Sequence, residues 1–197
     1  MKKILTYLFL ISFNFLTPSH SEEISDIKIE GFRIGDSLLN HLSKLEIVNE
    51  IKANKNAYDY LTDKYGEVYF YSNSFKEYDL VSFFVKQNDK DYIINDIRGA
   101  IVYDNKIEKC YKKQKKISEE LFLKFKNAKI AKNDLKFPWD SNGKSHSLNI
   151  TFTLNTGDVI TVSCSEYEKS IKIKNGYEDG YSLSITKREV QDWLTNY

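Results

Sequence analysis

The sequence predicts an α+β fold: a mainly antiparallel sheet built from hairpins, packed against one long helix and shorter terminal helices. Three observations carry that expectation. Leu148, Ile150, Phe152 and Leu154 alternate, Asn155-Thr156-Gly157-Asp158 supplies turn residues, and 159–164 returns as a second strand. Residues 80–86 and 92–103 read as another strand pair, joined by the polar turn 87–91. Between these hairpins Ile107, Cys110, Gln114, Ile117, Leu121 and Phe125 recur at helical spacing, which predicts a long helix to about residue 127, capped by Asp104 or Asn105. Hairpin-length connections imply antiparallel pairing and separate this fold from a doubly wound parallel sheet.

The remaining elements follow in chain order. Ile27, Ile29, Phe32 and Ile34 suggest a short strand broken at Gly31, and Gly35-Asp36 turns the chain. Asp36 is the expected cap of a short helix carrying Leu38, Leu39 and Leu42. Ser43 and Glu46 spell a capping box, with Leu42 and Ile47 placed as a hydrophobic staple, so a second helix opens there. A strand is expected over 67–71. Ile171 and Ile173, then Tyr181, Leu183 and Ile185, suggest one more pair around Asn175-Gly176. Thr186 with Glu189 forms a second capping box, stapled by Ile185 and Val190, and opens a final helix with Trp193 and Leu194. No internal repeat or Pro/Gly/Ser-rich linker divides the chain.

Residues 1–21 carry the pattern of a cleaved signal peptide. Lys2 and Lys3 precede an apolar run over 4–16, and the small residues Ser19 and Ser21 flank His20. The expected product is a single α+β domain over 22–197, periplasmic or secreted. The other reading, a retained anchor, meets a short apolar core interrupted by Thr6, Ser12 and Asn14. Loss of the two lysines takes the formal charge from +1 to about −1. A near-neutral chain lacks the positive excess that sequence-independent nucleic-acid binding needs. No later run approaches the roughly 18 apolar residues of a transmembrane span.

Cys110 and Cys164 are the only cysteines, and an even count in an exported chain reads as a disulfide. Cys110 lies on the apolar stripe of the long helix, and Cys164 alternates with Ile160 and Val162 along a strand, so both thiols point into a helix–sheet interface.

Catalytic signatures are fragmentary. Gly35-Asp36-Ser37-Leu38 spells the motif of the GDSL esterases, in which the serine is the nucleophile. That family's histidine sits in an Asp-x-x-His pattern, but Leu38 and Gly143 stand three residues before His41 and His146. Gly143-Lys144-Ser145 resembles the tail of a P-loop, but Pro138 occupies the place of its first glycine. Asp140-Ser141-Asn142-Gly143 misses EF-hand spacing, so 138–147 reads as an exposed loop. Two distant histidines make a poor zinc site, and Glu119-Glu120 point apart on a helix. No cofactor is expected.

Charge distribution offers a binding reading. Lys109, Lys112, Lys113, Lys115 and Lys116 crowd the first turns of the long helix, opposite its apolar stripe. Over 105–136 there are 11 lysines against Glu108, Glu119, Glu120 and Asp134, about +7, which leaves about −8 for the rest of the mature chain. This face is the expected contact for an envelope protein or an anionic surface component. The aromatic run Tyr65, Tyr69, Phe70, Tyr71, Phe75 and Tyr78 reads as sheet packing or a ligand groove.

Ile34-Gly35-Asp36-Ser37-Leu38-Leu39, Ser82-Phe83-Phe84-Val85-Lys86 with Ile97-Arg98-Gly99, and the two cysteine regions together resemble small exported proteins of unknown function from marine alphaproteobacteria. The resemblance implies an exported, disulfide-bonded domain and no particular activity. The opening strand–turn–helix is also similar to small outer-membrane assembly factors, which are lipoproteins; no anchor cysteine is present here. The expected function is a non-enzymatic, protein- or surface-binding envelope domain. The alternative is an exported GDSL-type serine hydrolase using Ser37, with His146 as base.

Overall fold

The computed structural model describes residues 23–55, 64–103 and 106–196. The signal segment and the expected caps Asp104 and Asn105 lie outside the described residues. Seven antiparallel strands form one sheet: β1 (Tyr65–Phe70), β2 (Leu80–Lys86), β3 (Ile94–Val102), β4 (Lys129–Lys136), β5 (His146–Thr153), β6 (Val159–Glu166) and β7 (Gly180–Thr186). Their spatial order is β1-β2-β3-β7-β6-β5-β4. Two meanders therefore meet at β3–β7, and β1 and β4 are the edges. The helices are α1 (Lys44–Asn54), α2 (Ile107–Lys124), α3 (Lys169–Asn175) and α4 (Arg188–Thr195).

One face of the sheet carries the main core. Val68, Val81, Phe83, Ile97, Leu183, Ile185, Ile160, Val162 and Phe152 are buried there, supplied by alternate positions of successive strands. The N-terminal segment and α2 cover this face. Along α2, Cys110, Gln114, Ser118 and Leu121 are buried, a helical stripe, and the helix packs on β6 and β7. Gln114 Nε2 donates to the main-chain carbonyls of Leu148 and Val162 at 2.7 and 2.9 Å, which satisfies a buried amide. The Cys110–Cys164 disulfide joins α2 to β6. On the opposite face, α4 closes a smaller cluster of Tyr65, Phe84 and Val190 with Trp193 and Leu194.

Several local expectations hold. The Ser43–Glu46 capping box is present in full and opens α1, and both staple residues are buried, Leu42 at 9% and Ile47 at 0% exposed. Other details differ, each for an identifiable reason. Ile29 and Phe32 exchange both backbone hydrogen bonds around Glu30 and Gly31, which have φ of +50° and +91°. The expected strand is thus a minimal hairpin, because two left-handed residues make the turn type that suits strand twist. Ser37, not Asp36, caps the following 3-10 turn, accepting from Leu39 N at 3.2 Å. Asp36 instead pairs with Arg33 at 3.2 Å.

The first strand begins at Tyr65, two residues earlier than expected, and the long helix ends at Lys124 rather than near 127. Residues 169–175 form a helix, not a strand. Glu168 caps its start by accepting from Ser170 N, and Gly176 stops it in the left-handed conformation at φ +69°. Two isoleucines at i and i+2 could not outweigh those end signals. The second capping box is absent: Lys187 is the N-cap of α4, with no side-chain bond. Thr186 Oγ1 is drawn off by the buried Asp96, to which it donates at 2.5 Å, and Asp158 Oδ1 accepts from Arg188 N at 2.9 Å in its place. Finally, β4 has no counterpart among the expected strands. All eight of its residues are exposed, so it lacks the apolar alternation by which a half-buried strand is recognised.

Candidate functional site

The sequence-predicted residues disperse. Lys113 is not free for a partner: its Nζ lies 3.3 Å from Glu77 and 5.5 Å from the ring centres of both Tyr78 and Tyr181, so its stem packs along the core. Lys115 and Lys116 face Glu119 and Glu120 one turn on, at 4.0 and 3.9 Å. Lys109 and Lys112 are exposed and, among the described residues, have no carboxylate partner. The five lysines share a helix, but two of them retain an unpaired charge.

Ser37 and His146 are not brought together. The Ser37 hydroxyl donates to the Asp91 carbonyl at 2.5 Å and accepts from Leu39 N, a structural role at the β3 entrance, where Ser37 bridges Ile93. His146 opens β5 at the far end of the sheet: successive pairings place Asp96, Thr186, Val159 and Thr153 at one end and His146 with Glu166 at the other. Seven residues of strand separate these ends by more than about 20 Å. His146 instead bridges Asp134 (Nδ1 to Oδ1, 2.6 Å) and Glu166 (Nε2 to Oε2, 3.5 Å). The hydrogen bond from His146 is the chief reason that the Asp134 carboxyl is held below its usual range. Tyr111 OH donates to Glu166, and burial, with that carboxylate beside it, pushes the phenol up to about 12.

A groove of about 840 Å³ separates the N-terminal segment from α2 and the 70–78 region. Phe32, Phe70, Phe75 and Leu121 form its apolar floor, so the aromatic run does supply a groove through Phe70 and Phe75. Tyr65 packs on the other face of the sheet against Trp193. Glu30 ties the two walls of the groove together: its carboxylate accepts from the N–H groups of Lys76, Glu77 and Tyr78 at 2.7–3.1 Å. Burial raises its pKa, but these three backbone donors together outweigh burial and leave it lowered. A lowered folded pKa stabilises the protein above the unfolded value of about 4.3, and that contribution is lost as pH falls through the folded pKa. Glu30→Gln is therefore expected to cost about 1 kcal/mol at pH 7, discounted for solvent access. Thermal melts of both proteins from pH 7 to 3 should show the gap closing toward acid; a gap that widens would contradict this role.

The two edges of the sheet are treated differently. At β1, the outward Glu67 carbonyl accepts from Asn54 Nδ2 at 3.1 Å and Tyr69 N donates to Glu50 at 3.3 Å, so α1 seals that edge. At β4 the bond from Phe137 N to the Ser145 carbonyl sets the phase of the ladder. Odd-numbered residues bond to β5, and the N–H and C=O groups of Ile130, Lys132, Asp134 and Lys136 point outward. Among the described residues none of these outward groups has a partner. Because α2 lies over β6 and β7, it leaves the core-side face of β4 uncovered and that of β5 half-covered at Leu148 and Ile150. The gap is a groove of about 730 Å³ lined by Phe122, Leu123, Ile130, Lys132, Ile150 and Phe152, among others. Phe122 is 58% and Leu123 69% exposed.

Compared with family models, with curated proteins and with solved structures, the chain matches none of them. The geometry alone must therefore support a function. The open edge and its groove escaped the sequence reading because Lys129–Lys136 alternates weakly. Its lysine content is the signal that could have found it, since exposed edge strands favour lysine. No helix among the described residues is long and apolar enough to cross a membrane.

Proposed function

We propose that this chain is an exported, non-enzymatic binding domain that accepts an extended segment of a partner protein as an added strand on β4. The contrast between the sealed β1 edge and the open β4 edge carries this reading. Strand addition takes its affinity from main-chain hydrogen bonds and its selectivity from pockets for alternate side chains. Alternate residues of an added strand fall on the side of Ile130 and Lys132, above the groove lined by Phe122 and Ile150. Apolar residues suit those positions. An acidic residue suits the place beside Lys115 and Lys132, which line the same groove. Export is supported by the signal-like residues 1–21 and by the Cys110–Cys164 disulfide, a bond that persists in oxidising compartments.

Lys132→Pro tests the proposal. It removes one outward N–H and leaves the ladder to β5 intact, a position where an edge strand tolerates proline. Affinity capture from native envelope extract is expected to lose its partner with Lys132→Pro and with Phe122→Ala, and to weaken with salt. A partner retained at full yield by both variants would refute the assignment to β4. The alternative, a serine hydrolase using Ser37, predicts fluorophosphonate labelling that disappears in Ser37→Ala.

A further inference from the structure

Four aromatic rings gather beyond the end of β4, in a place separate from both grooves. Phe137, Trp139 and Tyr167 are nearly parallel: Phe137 lies 4.9 Å from Trp139 at 11° and 5.3 Å from Tyr167 at 5°. Trp139 and Tyr167 are 6.2 Å apart at 15°. If Phe137 lay between them, two ring thicknesses would separate the outer rings by about 7 Å. The shorter distance places Trp139 and Tyr167 side by side in one layer with Phe137 beneath both. Tyr177 packs on this layer at an incline, its ring centre 5.5 Å from Trp139 at 62° and 5.2 Å from Tyr167 at 48°. Trp139 is 49% and Tyr177 43% exposed.

Core packing does not account for this arrangement. Aromatic pairs elsewhere in the described residues are inclined, from 34° for the buried Tyr78–Tyr181 to 89° for Phe84–Trp193, toward the edge-on geometry that ring quadrupoles favour. Phe137 and Tyr167, half-buried, and the exposed Trp139 lie nearly parallel. They are also held in place. Asp140 is 4% exposed, and its carboxylate accepts from the N–H groups of Asn142, Lys144 and Ser145 at 2.6–3.1 Å. Those bonds keep its pKa low, that from Ser145 being the strongest. Ser145 Oγ in turn accepts from Glu168 N at 2.9 Å, and Asp179 accepts from Tyr167 N at 2.9 Å. Of the expected exposed loop 138–147, His146 and Ser147 begin β5, and the rest is a hydrogen-bonded mount whose buried centre is Asp140 and Ser145.

We infer that this layer is a carbohydrate-binding platform that stacks the apolar face of a β-linked pyranose of gluco configuration. Such a sugar has equatorial hydroxyls, so its ring faces present C–H bonds to the negative faces of the aromatic rings. Its edge hydroxyls meet short polar side chains, and Ser141, Asn142 and Lys144 are exposed in the adjoining loop. A shallow groove of about 340 Å³ continues from Tyr177 past Ile173 and Glu178, room for a further sugar unit. A quaternary ammonium ligand would need rings on several sides, and a nucleic acid would need a positive excess that the chain lacks.

Tryptophan emission provides the test, because the chain has two tryptophans and Trp193 packs in the smaller core. Titration with β-1,4-linked hexamers of glucose and of N-acetylglucosamine is expected to shift the emission of the whole protein. Trp193→Phe should keep that response; by isothermal titration calorimetry, which needs no reporting tryptophan, Trp139→Ala should weaken binding about tenfold or more and Trp139→Tyr should restore most of it. A circular-dichroism spectrum unchanged in Trp139→Ala excludes misfolding as the cause. Absence of binding to both hexamers up to about 1 mM, or binding that Trp139→Ala leaves unchanged, would overturn the inference. Capture of the β4 partner by Trp139→Ala should be normal, so the two sites fail independently.

Discussion

Replacing both Cys110 and Cys164 by serine is expected to cost about 4 kcal/mol of stability. The two residues are 54 apart in sequence, and closing a loop of that length removes much of the freedom of the unfolded chain. The bond also lies where its loss is felt in the native state. Cys110 is 0% and Cys164 1% exposed, and the link pins α2 onto β6, the contact that sets where the helix leaves β4 uncovered. Urea unfolding of the double variant, and of the wild type with and without reductant, measures the effect. The unfolding midpoint should fall in both cases. A reduced wild type as stable as the oxidised one would mean that packing of α2, through Gln114 and Leu121, suffices.

Phe83→Ala is expected to cost about 3–5 kcal/mol. Phe83 is 1% exposed at the centre of the main core. Its ring meets Phe32 at 4.9 Å and 61°, and Phe32 in turn meets Phe70 and the ring of His41. This chain of rings docks the irregular N-terminal segment on the sheet. Removing Phe83 leaves a cavity under that segment, which is mostly turns and cannot collapse as a unit. Phe122→Ala is the contrasting variant. At 58% exposed, its loss should change stability by no more than about 0.5 kcal/mol, while weakening partner capture. Chemical denaturation of both variants separates a core phenylalanine from a binding one. Equal losses in the two would show that the β4 groove is packed rather than presented.

The class of fold, the hairpins β2–β3 and β5–β6, the buried stripe of α2 and the cysteine pairing are all legible along the chain. Each of these rests on a period that burial imposes: alternation where one sheet face is covered, and 3.6-residue spacing where one helix face is. The α1 capping box was legible for a related reason, since both of its partners lie within one helical turn. Where a local signal competed with a distant partner, the distant partner decided. Thr186 left its expected capping role for Asp96, 90 residues away in sequence, and the Ser37 hydroxyl was claimed by the carbonyl of Asp91. The candidate sites belong wholly to tertiary structure. Phe137, Trp139, Tyr167 and Tyr177 come from either side of β5 and β6, and only the fold makes them one surface. The open edge of β4 is set by strand order and by the path of α2, and neither leaves a periodic trace in Lys129–Lys136. Burial writes a pattern along the chain. Exposure, on which binding depends, does not.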